Sequence, residues 1–368
     1  MAQPFAGRSF LGTFGLIFLA MAVLFVADMF LAKTERMESM VQARRLFAQG
    51  RALMQRGEKA EAIERIKNAI SIARGNRDYQ RTLAMAQFAA GKAADAESTL
   101  VELLQSDSTD GSASLLMGRV LVKEGRVAEG ISYYHRAIYG DWNEDAAGNR
   151  LRARFELIDL LAERNSKEEL LAELLPLQDS APHDVKTRTR MGRLFLVAGS
   201  PSHAAVIFHG ILHDAPENGN AYAGLGEAEF SRGNYRAAQR DFQTALRLDT
   251  DDQNARQHLD LCDELLQLDP MMRGLGAAER YRRSVHLVEL TLAEASHCIG
   301  PNPSPELRGL LDSSDKVLKA RVRAAQQGEA AESNLDLAEQ LWQVRKRECK
   351  APAAADTPLA LVLARLAQ

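Results

Sequence analysis

The sequence predicts an all-α chain in three parts: an N-terminal transmembrane helix, a solenoid of about six helical hairpins, and a C-terminal helical unit. Three observations predict it. The stretch Phe10–Leu31 is apolar but for Asp28. Small residues recur through the middle of the chain at a spacing of 34. After Gly274 that spacing is lost, while apolar positions go on stepping by three and four.

Composition narrows the function classes. Of 368 residues, 46% are hydrophobic, 26% charged and 6% aromatic, and the formal net charge is −3. A balance so near neutral argues against a nucleic-acid binder with a basic face and against an acidic disordered tail. Three cysteines without a CxxC pair support neither a disulfide framework nor a zinc site.

Residues 1–32 are read as a tail and membrane helix. No charge interrupts Leu11 to Ala27. The 22 residues from Phe10 to Leu31 span roughly 33 Å as a helix, enough for a hydrocarbon core of about 30 Å. Asp28 lies near one end, where its carboxylate reaches the headgroups. A cleaved signal peptide fits less well, because its apolar region is shorter and Ala20-Met21-Ala22 lies inside the run. Arg8 before the span and Lys33, Arg36, Arg44 and Arg45 after it do not decide the orientation.

Residues 33–252 carry the repeat. Gly50, Gly57 and Ala62 are followed 34 residues on by Ala84, Gly91 and Ala96, and again by Gly118, Gly125 and Gly130. Gly192, Gly199 and Ala204 lead likewise to Gly226, Gly233 and Ala238. Tyr222, Leu225, Gly226, Gly233, Tyr235, Ala238, Phe242 and Ala245 make the clearest copy. This pattern resembles the tetratricopeptide repeat (TPR), which implies antiparallel helix pairs stacked into a right-handed α-solenoid. Repeats begin near Ala43, Arg77, Gly111, Val185 and Gly219. A further copy from Leu151 to Asp184 falls in register if Asn165 takes the turn position of the glycine, leaving Asp145–Arg150 as a six-residue insertion. Small residues at the eighth and twentieth positions let paired helices approach closely. Leu53, Ile66, Leu121, Tyr134, Phe195, Phe208 and Phe242 fill the layers between units, none of which buries its surface alone.

Residues 253–270 are read as a capping helix, with Leu259, Cys262 and Leu266 on its inner face and Pro270 closing it. Residues 271–368 hold four more helices. The first has the stripe Tyr281, Val285, Val288, Leu292, Ala295 and Ile299. The second starts at Ser304-Pro305 with Leu307, Leu310, Leu311, Val317, Leu318 and Val322. The third runs from about Ser333 with Leu337, Leu341, Trp342 and Val344, and the last follows Thr357-Pro358. An up-down-up order puts Cys298 and Cys349 on one side and leaves two readings open, two free thiols or a disulfide, the latter requiring an oxidising compartment. Cys262 reads as a core residue.

Nothing here predicts an enzyme, a cofactor or a small-molecule substrate. His209 and His213 share a helix face but face solvent and lack a third ligand. His297 beside Cys298 is weaker still, and phosphate loops and nucleophile elbows are absent. Binding is the stronger reading. The resemblance implies that the first helix of each repeat lines a concave groove. The inward positions there are Phe47, Arg51, Met54, Arg81, Met85, Phe88, Leu115, Arg119, Val122, Phe155, Asp159, Arg193, Leu196, Glu227 and Phe230. Arg51, Arg81 and Arg119 are placed to pair with carboxylates of a bound protein or peptide segment. Arg51 stands where the family's chaperone-tail clamp has asparagine, so that clamp is not supported. Trp142 is a second candidate contact.

The expected function is a membrane-tethered protein-interaction scaffold, in envelope assembly or quality control. Its expected setting is a single-pass protein of a bacterial inner membrane, with the side open and the periplasmic one preferred by analogy. The alternative is an organiser of a membrane enzyme or secretion complex that works through its outer faces and C-terminal unit, with no groove ligand.

Overall fold

The computed structural model describes residues 8–178, 182–296, 303–348 and 357–366, with side chains from residue 18 onward. Among the described residues every regular element is helical. Contacts divide the chain at 160/161, inside the fourth repeat, into two compact units.

The first unit begins with α1 (Arg8–Arg56), a single helix of 49 residues. It runs without a break from the expected anchor into the first repeat, and Lys33–Gln42 contains no glycine or proline to stop it. Among the described residues no helix is long and apolar enough to cross a membrane. Residues 10–17, the first part of the expected span, lie outside the described side chains. From Phe18 to Leu31 the large apolar side chains are 59% to 76% exposed.

The end of α1 pairs with α2 (Lys59–Ile72). Two further hairpins follow: α3 (Arg77–Ala89) with α4 (Ala93–Ser106), and α5 (Gly111–Lys123) with α6 (Val127–Tyr139). Each helix packs on the next through α6. Then comes α7 (Ala146–Glu163). It starts five residues before the expected Leu151, because the inserted residues from Ala146 on form its opening turns.

The second unit continues with α8 (Lys167–Leu174) and a 3₁₀ turn at Leu175–Leu177. The hairpins α9 (Val185–Val197) with α10 (Pro201–Asp214) and α11 (Gly219–Ser231) with α12 (Tyr235–Leu248) come next. After α13 (Gln253–Leu268) come α14 (Ala277–Ser296), α15 (Pro305–Lys319), α16 (Gln327–Glu348) and α17 (Pro358–Leu366).

Two devices repeat with the 34-residue period. At the hairpin turns, Gly57, Gly91, Gly125, Asn165, Gly199 and Gly233 have φ between 55° and 82°, a left-handed conformation that costs glycine nothing and asparagine little. Asn165 is the only side chain in that series, as expected. At the starts of the first helices, Asn76, Asp110, Asp184, Asn218 and Asp252 accept a hydrogen bond from the amide three residues on. The small eighth-position residues mark close approach: a Cβ built on Gly192 would lie 2.6 Å from the Phe208 ring, and one on Gly226 2.7 Å from that of Phe242.

Ile66, Leu121, Tyr134, Phe195, Phe208 and Phe242 are buried, while Leu53 is half-buried. Cys262 is fully buried, and burial pushes its thiol up to about 12. The outer face of α13 is not left to solvent. Leu265 and Leu268 join one core with Leu287, Leu341, Trp342, Val362 and Leu363. The buried face of α14 is also rotated from the expected stripe. Ser284, Leu287, Val288, Thr291 and Ala295 are buried, whereas Tyr281, Val285 and Leu292 are only half-buried. The cause is close packing on α16, where the small Ser284 and Thr291 fit. Their hydroxyls donate to the carbonyls of Tyr281 and Leu287, and Ser284 Oγ accepts from Asn334 Nδ2 at 3.0 Å. Cys298, Cys349, His297 and Ile299 lie outside the described residues.

Candidate functional site

In the first unit α3, α5, the turn before α5, the start of α7 and the segment 141–144 line an open cleft of about 880 Å3. Four of the predicted groove residues, Arg81, Met85, Leu115 and Arg119, line it together with Trp142. Met85 is 47% exposed and forms an apolar patch on the floor, beside the buried Leu115 and Leu116.

The arginines do not wait for a partner's carboxylates. Arg81 donates to Asp110 at 2.7 Å and to Asp78 at 2.9 Å. Burial alone would lower the Arg81 pKa, but the bonds and charges of Asp110 and Asp78 outweigh it and leave the pKa raised. Asp110 is 7% exposed and also caps α5, so its two oxygens are shared between the Arg81 guanidinium and the Ala113 amide. Arg119 donates a forked pair of hydrogen bonds to Glu156 at 2.8 and 2.5 Å, and those bonds raise its pKa. Arg77 bonds Asp107 at 2.7 Å. Hydrogen bonds from the Thr109 hydroxyl and amide hold the Asp107 carboxyl below its ordinary value. The expectation that Arg81 and Arg119 bind a ligand's acids is therefore corrected: the chain supplies those acids itself, from positions 29 and 37 residues away.

Of the other predicted positions in this unit, Arg51 is exposed. Phe47 stacks on Tyr79 with ring centroids 4.1 Å apart. Met54 packs with Ile63, Ile66 and Leu83, and Phe88 against the core around Leu100. Val122 and Phe155 are half-buried, as is Asp159. These residues hold the helices together more than they present a surface.

The second unit is described by itself. Arg193 on α9 is exposed and reaches Asn220 at 3.4 Å, and Leu196 is half-buried. Glu227 on α11 accepts from Asn254 at 2.8 Å, and burial pushes its carboxyl up. Phe230 meets the rings of Tyr235 and His258 at 5.3 and 5.7 Å. His209 and His213 are both exposed on α10. Among the described residues no group of three or more His, Cys, Asp or Glu side chains could hold a metal ion.

The reading of the sequence named Trp142 as a candidate contact but missed its neighbours Asp141, Asn143 and Glu144 as part of the cleft wall. Asp141 pairs with the α4–α5 turn through Asp141 N–H to Thr109 O at 2.7 Å and Gly111 N–H to Asp141 O at 2.9 Å. Trp142 Nε1 donates to Ala137 O at 2.9 Å. A signal was present: Gly111, at the helix start, leaves room that a Cβ would take from the Trp142 indole, at 2.4 Å.

No family model matches the chain, and no curated protein does. Solved structures do. It is similar to YrrB, "a TPR protein with an unusual peptide-binding site", at 18% identity over 52% of this chain and 96% of that one, with a TM-score of 0.41. The C-terminal part of a TPR repeat-containing protein from Cytophaga hutchinsonii aligns at 15% identity over 79% and 95%, TM-score 0.44. The P58(IPK) TPR domain aligns at 15% over 88% and 97%, TM-score 0.30. The helical-hairpin assignment rests on the chain's own turns, caps and close contacts.

Proposed function

We propose that the chain is a non-catalytic protein-interaction scaffold whose first unit takes an extended segment of a partner protein in the cleft over Met85. One observation carries this: an open cleft with an exposed methionine on its floor and a half-exposed tryptophan on its wall, both on rigidly braced backbone. Apolar anchors of that kind dominate interface energetics. The ion pairs that line the cleft brace its walls, so the surface is formed before a ligand arrives.

The scaffold is held at a membrane through residues 10–31. The exposed row of apolar side chains from Phe18 to Leu31 supports this, since water is a poor environment for so continuous a surface. A tether raises the effective concentration of the cleft near other membrane proteins. Carbonate extraction of membranes holding the full chain tests the tether, and release into the wash argues against it. A compartment-sensitive reporter fused after Gln368 tests the periplasmic placement.

Groove binding is tested by a photo-crosslinking residue at Met85 in the full chain. Crosslinks to a discrete partner, lost on competition with an excess of unlabelled chain, are expected. Crosslinks from exposed Val206 on α10 but none from Met85 would favour the outer-face organiser instead. That second reading has its own observation, a cavity of about 1090 Å3 among the C-terminal helices, lined by Leu268, Leu290, Trp342 and Leu359.

A further inference from the structure

We propose that the segment bound in the first-unit cleft is recognised by a basic side chain, lysine or arginine, seated against Trp142 between Asp141 and Glu144. The inference rests on the groove-binding reading above and names the chemistry of its ligand.

The charge left open in the cleft decides the sign. Arg77, Arg81 and Arg119 are each already held by a carboxylate of the chain. An acidic ligand that drew Arg81 away would strand Asp110, which is 7% exposed, and a buried carboxylate that loses its cation is strongly penalised. Asp141 and Glu144 are exposed, and among the described residues neither side chain has a partner. The remaining cation on the wall, Arg152, donates to Asn149 at 3.1 Å. Two open carboxylates therefore face one open guanidinium, the reverse of what a count of cleft arginines suggests.

Geometry makes the corner a preformed one. The indole of Trp142 is fixed at its Nε1 by Ala137 O and against Gly111 on its edge, while the residue stays half-exposed on the cleft wall. The backbone that carries it is bonded on both sides. Thr109 and Gly111 hold Asp141, Asn149 Nδ2 donates to Glu144 O at 2.9 Å, and Arg150 donates to Gly140 O at 2.9 Å. Asn149 and Arg150 belong to the six residues that break the 34-residue period, so the insertion serves to brace this corner. A cation over an indole is attracted by the ring's quadrupole, and flanking carboxylates add direct charge pairing. The stem of a lysine or arginine would lie along the apolar ring and carry its head to the acids.

The test pans a random dodecapeptide display library on the full chain and on two variants, Trp142→Ala and the double variant Asp141→Asn with Glu144→Gln, with circular dichroism melts to show that each is folded. Peptides enriched on the wild-type chain are expected to carry lysine or arginine beside apolar residues. In synthetic fluorescent copies, replacing that basic residue by norleucine is expected to weaken binding about five- to thirtyfold, with the loss reduced at high salt. Both variants are expected to lose the basic preference while keeping the apolar one. Enrichment of acidic or uncharged peptides, or a basic preference that survives in the double variant, overturns the proposal and leaves groove binding standing. Enrichment of no sequence at all, together with no crosslink from Met85, removes the groove reading and this inference with it.

Discussion

Arg119 on α5 and Glu156 on α7 face each other through two hydrogen bonds of 2.8 and 2.5 Å. The pair joins the first helices of the third and fourth repeats across the six-residue insertion, and it converts a predicted ligand contact into a brace of the cleft wall.

Arg119→Ala is therefore expected to cost about 1 kcal/mol, because it leaves a part-buried carboxylate unpaired. The charge-swapped double variant Arg119→Glu with Glu156→Arg is expected to recover most of that loss. Denaturant melts of the four-member cycle measure it, and additive losses would mean the pair contributes nothing.

Asn165 holds φ 55° where the other hairpin turns have glycine. Asn165→Gly is expected to leave stability within about 0.5 kcal/mol, and Asn165→Ala to destabilise the chain by about 1 kcal/mol. A thermal melt that ranks alanine above asparagine would contradict the left-handed turn.

Gly226→Ala places a methyl 2.7 Å from the Phe242 ring, which is fully buried and has nowhere to go. A loss of about 1–3 kcal/mol is expected from overpacking. Gly233→Ala meets no neighbouring atom but carries φ 76°, so its cost is backbone strain instead.

Burial, and then the nearby charge of Glu229, pushes the Asp241 carboxyl up to about 6 from an ordinary 3.8. A carboxyl whose pKa is raised by folding favours the folded state when protonated. That contribution is whole below about 4 and is lost as the pH rises through about 6. Asp241→Asn is expected to raise the melting temperature at pH 7 by about 2–4 °C, roughly 1 kcal/mol after solvent screening. It should leave that at pH 4 little changed. An equal effect at both pH values would show that the carboxyl is not strained.

Much of the architecture was legible in the chain because it depends on local chemistry. The starts of α3, α5, α9 and α11 fall at the predicted residues, since a capping side chain and a turn residue act within a few positions of themselves. The caps at Asn76, Asp110, Asp184, Asn218 and Asp252 keep the same spacing and could have sharpened the register further. Two failures were of another kind. The α14 stripe was drawn through apolar residues alone at steps of four and three, but the buried face also runs through Ser284 and Thr291, because close approach to α16 admits small side chains there. The arginines of the groove were counted as free because their partners are remote in sequence.

Hairpin repeats, their turns and their small contact residues followed from the 34-residue spacing and the tetratricopeptide resemblance it carries, for each is set by backbone sterics and packing that recur with that period. Which charges remain available to a ligand followed only from the folded chain. Ion pairing depends on distances of a few ångströms between residues far apart in sequence, and only packing fixes those distances. Asp110 reaches Arg81 and Glu156 reaches Arg119 in the folded first unit, so Asp141, Glu144 and Arg152, rather than Arg81 and Arg119, are the charges left open in its cleft.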